Sequence, residues 1–156
     1  MAAAWAYEGA ARALILALKV RGLRSAAQPL VAGMIGASRR GGLRGRVLTW
    51  VPGRSGDITA RGFDHAEVLA RGMARGLGLP VHGLLTRRAA ARDQTLLSAG
   101  DRAANVRGAF WAARSPSRVV LVDDLITTGA TAGSCAGALR AAGADGVELV
   151  VACRVA

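Results

Sequence analysis

The sequence predicts an α/β protein, a parallel sheet flanked by helices and preceded by a helical N-terminal segment. Three observations predict it. After two amphipathic helical stretches, apolar runs alternate with helical periodicities, the order that builds a parallel sheet covered by helices. The run VVLVDDLITTGAT, Val119–Thr131, reads as a buried strand feeding a loop and a helix. A chain of 156 residues, 52% apolar, is long enough for one domain with a real core and too apolar for disorder. The expected organisation is one domain over 1–156, with 1–45 helical and 46–156 the α/β core.

The elements follow in order. Tyr7–Val20 has Leu14, Ile15 and Leu18 at core spacing, with Arg12 and Lys19 off that face, and Gly22 closes the helix. Ser25–Ser38 is a weaker helix, with Pro29 tolerated near its first turn. Arg39–Gly45 is a Gly/Arg loop, Arg46–Val51 a strand, and Pro52-Gly53 its stop. Asp64–Gly78 is a helix: Asp64 caps it, Glu67 completes a capping-box pattern, and Val68, Leu69 and Met73 face the core. Pro80–Leu85 is a short strand, Arg87–Leu97 a long polar loop, and Ser98 caps a short helix with Asp101 in its first turn. Arg118–Val122 is a buried strand, Thr131–Ala142 a helix stopped by Gly143, and Val147–Val155 the last strand.

Charge is uneven. Residues 1–118 carry nineteen basic and six acidic side chains, residues 119–156 two and four, for a net charge of +11. Such an excess suits a polyanionic ligand or nucleic acid, single-stranded DNA included. It equally suits GC-rich coding DNA, because Lys19 is the only lysine. With 4% aromatic residues there is little sign of a base-stacking surface. Cys135 and Cys153 share no metal-ligand spacing and read as free, buried, small apolar residues. No apolar run is long enough for a membrane span and the first residues lack a signal-peptide pattern, so a cytoplasmic location is expected. The oligomeric state is left open.

The stretch Val119–Thr131 carries the chemistry. Asp123 and Asp124 end the apolar run, and Thr127-Thr128-Gly129-Ala130-Thr131 follows. A loop entering a helix presents unpaired N–H groups and the positive end of the helix dipole to an anion. Gly129 lets the backbone come close, and the hydroxyls of Thr127, Thr128 and Thr131 add donors. The Gly-Lys-Ser/Thr of a nucleoside triphosphate loop is absent, so the cradle suits a monophosphate. Carboxylates repel phosphate but bind vicinal hydroxyls well. A ribose 5-phosphate group reconciles the two demands, since they fall on different parts of one ligand.

VLVDDLITTGAT closely resembles the phosphoribosyl pyrophosphate (PRPP) motif of type I phosphoribosyltransferases. ARGFDHAEVLARGMARGLGLP, Ala60–Pro80, is similar to the Arg-Gly-Phe-Asn-Gln-Ala-Glu helix of the ComF family, phosphoribosyltransferase-like proteins linked to DNA uptake. Gln94, Leu97, Ser98, Arg102, Asn105, Arg107, Gly108 and Phe110 match that family's next pattern in order and spacing, and Tyr7-Glu8-Gly9 resembles its start after a zinc module. The resemblance runs from about Tyr7 to the end.

The resemblance implies a type I phosphoribosyltransferase-like fold and a site that binds PRPP with Mg²⁺ near Asp123 and Asp124. If the protein is an enzyme, it implies attack at C1 of the ribose and release of pyrophosphate, with Asp123, Asp124 and Arg54 as catalytic residues. Asp123 and Asp124 hold the ribose hydroxyls, and Thr127, Thr128, Gly129, Ala130 and Thr131 the 5-phosphate. Val51, Pro52, Gly53 and Arg54 form the pyrophosphate loop, with Arg87, Arg88 and Arg92 in a flexible loop that closes over the site. The alternative is a non-catalytic, nucleotide-sensing or DNA-handling protein.

Three departures qualify this. No CxxC occurs, so the family's zinc module is missing and zinc is not expected. Gly53-Arg54-Ser55-Gly56-Asp57 replaces the family's His-Pro and arginines, weakening the expected anion contact. Asp64-His65 stands for the usual Asn-Gln. A carboxylate that 6-oxopurine salvage enzymes carry is replaced by Thr127, which argues against a hypoxanthine or guanine acceptor. His65 and His82 read as structural.

Overall fold

The computed structural model describes residues 1–88 and 108–155. Its element order is β1 (Ala2–Ala6), α1 (Gly9–Lys19), a 3₁₀ turn (Arg24–Ala26), α2 (Ala27–Arg40), β2 (Val47–Trp50), α3 (Ser55–Arg61) and α4 (His65–Leu77). Then come β3 (Thr86–Arg87), β4 (Phe110–Trp111), β5 (Arg118–Ile126), α5 (Ala130–Ala141) and β6 (Gly146–Arg154). Four strands form a parallel sheet in the order β1-β6-β5-β2, and β3 pairs antiparallel with β4. The expected parallel α/β sheet is therefore present.

Strand β5 is apolar on both faces because helices cover both. Val120 and Val122 join Leu48 and Val150 against Ile15, Leu18, Leu30, Met34, Leu69 and Met73 of α1, α2 and α4. Val119 and Leu121 face the other way, toward Cys135 and Leu139 of α5 and toward Leu85 and Phe110. Each such side chain contributes roughly 1.5–3 kcal/mol when fully buried. This two-residue alternation continues into the acids, so Asp123 and Asp124 leave β5 on opposite faces.

Several expectations need correction. The first 45 residues are not only helical: β1 is a sheet strand, paired with β6 from Ala2↔Val150 to Ala6↔Arg154. Its alanines give no β signal; tertiary packing makes the strand, with the Trp5 indole lying on α2 at Gly33, where a Cβ would collide with it. The Ser25–Ser38 helix begins as a 3₁₀ turn and runs on to Arg40. Pro80–Leu85 does not become a strand; it makes a single parallel bridge, Val81↔Leu48, at the outer side of β2. Arg87, expected in a loop, stands in β3. The residues after Arg54, to which the sequence reading assigns no element, form α3. Strand β5 continues through both acids to Ile126. The loop beyond residue 88, the helix at Ser98 and the matches from Gln94 to Arg107 lie outside the described residues.

The other helices keep to the sequence reading. Asp64 caps α4 by accepting the Ala66 N–H at 3.0 Å, though Glu67 pairs with Arg71 four residues on instead of closing a capping box. Among the described residues, no helix is long and apolar enough to cross a membrane.

Candidate functional site

The sheet order creates the cleft. The connection after β5 runs through α5 to β6 on one side, while that after β2 runs through α3 and α4 to Val81 on the other. Diverging connections open a crevice at the carboxyl ends of β2 and β5, the place where open α/β sheets bind ligands. A cleft of about 250 Å³ lies there, lined by Val51–Arg54 after β2 and by Asp123–Ala132, from the end of β5 into α5, with Lys19, Asp57, His65 and Arg87 at its sides.

The loop expected to cradle an anion leads directly into α5. Gly129 caps α5 at φ +77°, a left-handed conformation that strains any residue with a Cβ. Its carbonyl accepts the Gly133 N–H at 2.8 Å, and Thr128 Oγ1 accepts from the Ala130 N–H at 3.4 Å. Thr127 and Thr128 are exposed to the cleft, and no acid occupies the first turn of α5 to compete with a bound anion.

The two acids are unequal. Asp124 is buried, 3% exposed, on the face of α1 and α4. Its Oδ2 lies 3.2 Å from Lys19 Nζ and its Oδ1 3.4 Å from His65 Nε2. Burial alone would raise its pKa; the hydrogen bond and charge of His65, then Lys19, outweigh that and hold the carboxyl below the usual range. Asp123 is only partly buried, and its Oδ1 accepts the Asp124 N–H at 2.8 Å. Burial, reinforced by the negative charge of Asp124, pushes its pKa well above the ordinary carboxylate value.

The opposite wall is braced. Asp64 Oδ2 accepts the Gly53 N–H at 2.8 Å while Oδ1 caps α4, so one carboxylate ties the loop after β2 to a helix. A Cβ on Gly53 would sit 3.3 Å from both Asp64 and Ile58, so the bend has little room for a larger residue. Arg54 is exposed at the rim, directly before α3. Arg87 is pinned: its Nε donates to the Pro52 carbonyl at 2.9 Å and its guanidinium stacks 4.5 Å from the Phe110 ring centre. Burial lowers its pKa. Cys135, beneath this side of the cleft, is an inert thiol, its pKa pushed by burial up to about 12.

Asp123, Asp124, Val51, Pro52, Gly53, Arg54, Arg87 and the loop Thr127–Thr131 thus meet in one cleft. Arg88 lies outside its lining, and Arg92 falls outside the described residues. Sequence reasoning missed Lys19, His65 and Asp64. Asp64 was legible as a cap; the reach of all three to the cleft depends on which helices cover which face of β5.

A magnesium ion is implied by the resemblance. Ligand atoms of His65, Asp123 and Asp124 lie within 4.8 Å of one another, and carboxylate oxygens suit a hard cation. Asp123 fits that role better, because Lys19 already neutralises Asp124.

No family model matches the chain. Among curated proteins it is similar to Competence protein F of Haemophilus influenzae, 35% identical over 95 residues, covering 57% of this chain and 42% of that protein. Among solved structures it is similar to the allosteric regulatory enzyme of purine biosynthesis, with TM-score 0.54, 27% identity and coverage of 80% of this chain and 25% of that one. It is likewise similar to the glutamine PRPP amidotransferase from B. subtilis, solved with ADP and GMP, at TM-score 0.53 and 26% identity over 79% of this chain and 25% of that one. The chain therefore spans about two-fifths of the curated relative and a quarter of these solved chains. These likenesses agree with the ComF resemblance read from the sequence and with a type I phosphoribosyltransferase fold.

Proposed function

We propose that this phosphoribosyltransferase-like chain, a relative of Competence protein F, binds PRPP with Mg²⁺ in the cleft between β2 and β5. One observation carries the reading: a helix N-terminus free of acids and a pair of acids share the same cleft at the divergence of the sheet. The N–H groups and hydroxyls of Thr127–Thr131 take the 5-phosphate, and Asp123 and Asp124 accept from the ribose hydroxyls. Arg54 and Arg87 stand on the cleft walls for the pyrophosphate. Arg87 thereby supplies cationic charge that Gly56 and Asp57 do not. Asp123 would hold a magnesium ion, whose positive charge would offset that of the pyrophosphate leaving group.

The corresponding reaction is transfer of the phosphoribosyl group from pyrophosphate to an acceptor: a bond forms between C1 and the acceptor, the C1–O bond to pyrophosphate breaks, and pyrophosphate leaves. The chain's own part is electrostatic: fixed cations meet charge that grows on the leaving oxygens. Calorimetry of Mg²⁺-PRPP binding to the native chain and to Asp123→Asn/Asp124→Asn tests the reading. Binding in the native chain, lost in a folded double variant, is expected. A native chain that binds no PRPP overturns it.

A second reading, handling of single-stranded DNA, is favoured by a groove of about 530 Å³ between α2 and α4, lined by Arg24, Arg71 and Arg75. DNA affinity there should fall steeply with salt; a flat salt dependence counts against it.

A further inference from the structure

We propose that His65, together with Lys19, is a positioning residue that fixes Asp124 for a ribose hydroxyl, and so governs recognition of the sugar rather than of the phosphate. The proposal rests on the ribose-phosphate reading above and adds residues that the motif itself does not contain.

Three separate elements converge on one carboxylate. Asp124 comes from β5, His65 from the first turn of α4 and Lys19 from the last turn of α1. With Oδ2 facing Lys19 at 3.2 Å and Oδ1 facing His65 at 3.4 Å, the carboxylate cannot turn without losing a partner. Each carboxylate oxygen has two lone-pair sites, so a tethered oxygen can still accept one hydroxyl. Orientation is what the tethers supply, and misplacement of a polar contact by about 1 Å is costly in a site of this kind.

The tethers are themselves held. His65 is 7% exposed and follows Asp64, whose carboxylate binds both the Ala66 and the Gly53 N–H groups. The carbonyl of Lys19 accepts from Arg61 Nη1 at 3.1 Å, anchoring the end of α1 to α3. The side chain of Lys19 stays 41% exposed and borders the cleft. Helix α1 thus enters the site through the side chain of Lys19. The phosphate cradle is built separately, from the loop and helix after β5.

Ribose 5-phosphate, 2-deoxyribose 5-phosphate and inorganic phosphate separate the two halves of the site. They are titrated by calorimetry into the native chain, His65→Leu, His65→Gln and Lys19→Met, each checked for folding by thermal unfolding. The native chain should prefer ribose 5-phosphate to its deoxy analogue. In His65→Leu the preference should shrink by about tenfold, the order expected for one hydrogen bond to a charged group, with inorganic phosphate binding unchanged. His65→Gln, whose amide still donates, should retain most of the preference. Lys19→Met, at a solvent-accessible helix end, should reduce it even if His65→Leu does not fold. If these variants keep the native preference, or lose sugar phosphate and inorganic phosphate in parallel, the positioning role is wrong while PRPP binding stands. A native chain that binds neither sugar phosphate overturns both.

Discussion

Lys19 Nζ lies 3.2 Å from Asp124 Oδ2, joining the end of the first helix to the end of the central strand across 105 residues. The contact neutralises one acid of the pair and leaves Asp123, on the opposite face of β5, without a comparable partner among the described residues. The two neighbouring carboxylates therefore have opposite effects on stability.

Asp123→Asn should stabilise the native chain at neutral pH, and Asp124→Asn should destabilise it. The Asp123 carboxyl has a raised pKa when folded, so its stability contribution is fully present below the unfolded value and is lost as pH rises through the folded one. The Asp124 carboxyl has a lowered pKa, so its contribution is present above the unfolded value and is lost as pH falls through the folded one. Removing the Asp124 charge leaves His65 and Lys19 unpaired. The cost should be about 2 kcal/mol, below the roughly 3–5 kcal/mol of a fully buried pair, because Lys19 can turn to water. Thermal unfolding across pH checks both signs; equal shifts in the two variants would contradict the asymmetry.

Gly129→Ala should cost about 1–2 kcal/mol, the penalty for a Cβ at positive φ. At φ +77° the strain is in the backbone, since the nearest atom to the added methyl is Ile126 Cδ1 at an ordinary 3.5 Å. Relief of that strain moves the N–H groups of the cradle, so inorganic phosphate should bind several-fold more weakly. Phosphate titration beside denaturant unfolding measures the two effects.

Asp64→Ala should lose about 2 kcal/mol, because it removes a helix cap and leaves the Gly53 N–H unpaired. Asp64→Asn offers one carbonyl oxygen for two N–H groups and should lose about half as much. Urea unfolding of the two variants gives the comparison, and equal losses would mean that the Gly53 contact is of no consequence.

Arg87→Lys should weaken PRPP by about tenfold and leave ribose 5-phosphate nearly unchanged. Lysine keeps the charge but loses the planar stack on Phe110 and the anchoring bond from Nε to Pro52. Paired titrations of the two ligands read the difference. Equal weakening of both would place Arg87 away from the pyrophosphate.

Much of the fold was legible locally. Apolar runs marked β2, β5 and β6, the Asp64 cap marked the start of α4, and Val119–Thr131 marked the acids and the loop that enters α5. The failures have local reasons too. The β1 residues are mostly alanine, which favours helix, and only pairing with β6 and the Trp5 contact on α2 make them a strand. Pro80–Leu85 had the residues of a strand but meets β2 at one bridge.

By itself the sequence determined the alternating α/β order, the Thr/Gly loop that enters a helix and the presence of two adjacent acids, because capping, turn chemistry and periodicity act within a few residues. Tertiary structure alone decided that those acids differ. Alternation along β5 sends them to opposite faces, but only the packing of α1 and α4 on one face brings Lys19 and His65 to Asp124. Burial without such partners leaves Asp123 the acid that resists ionisation. Charge pairing depends on distance in space, and in this site that distance is set by the layers around the sheet.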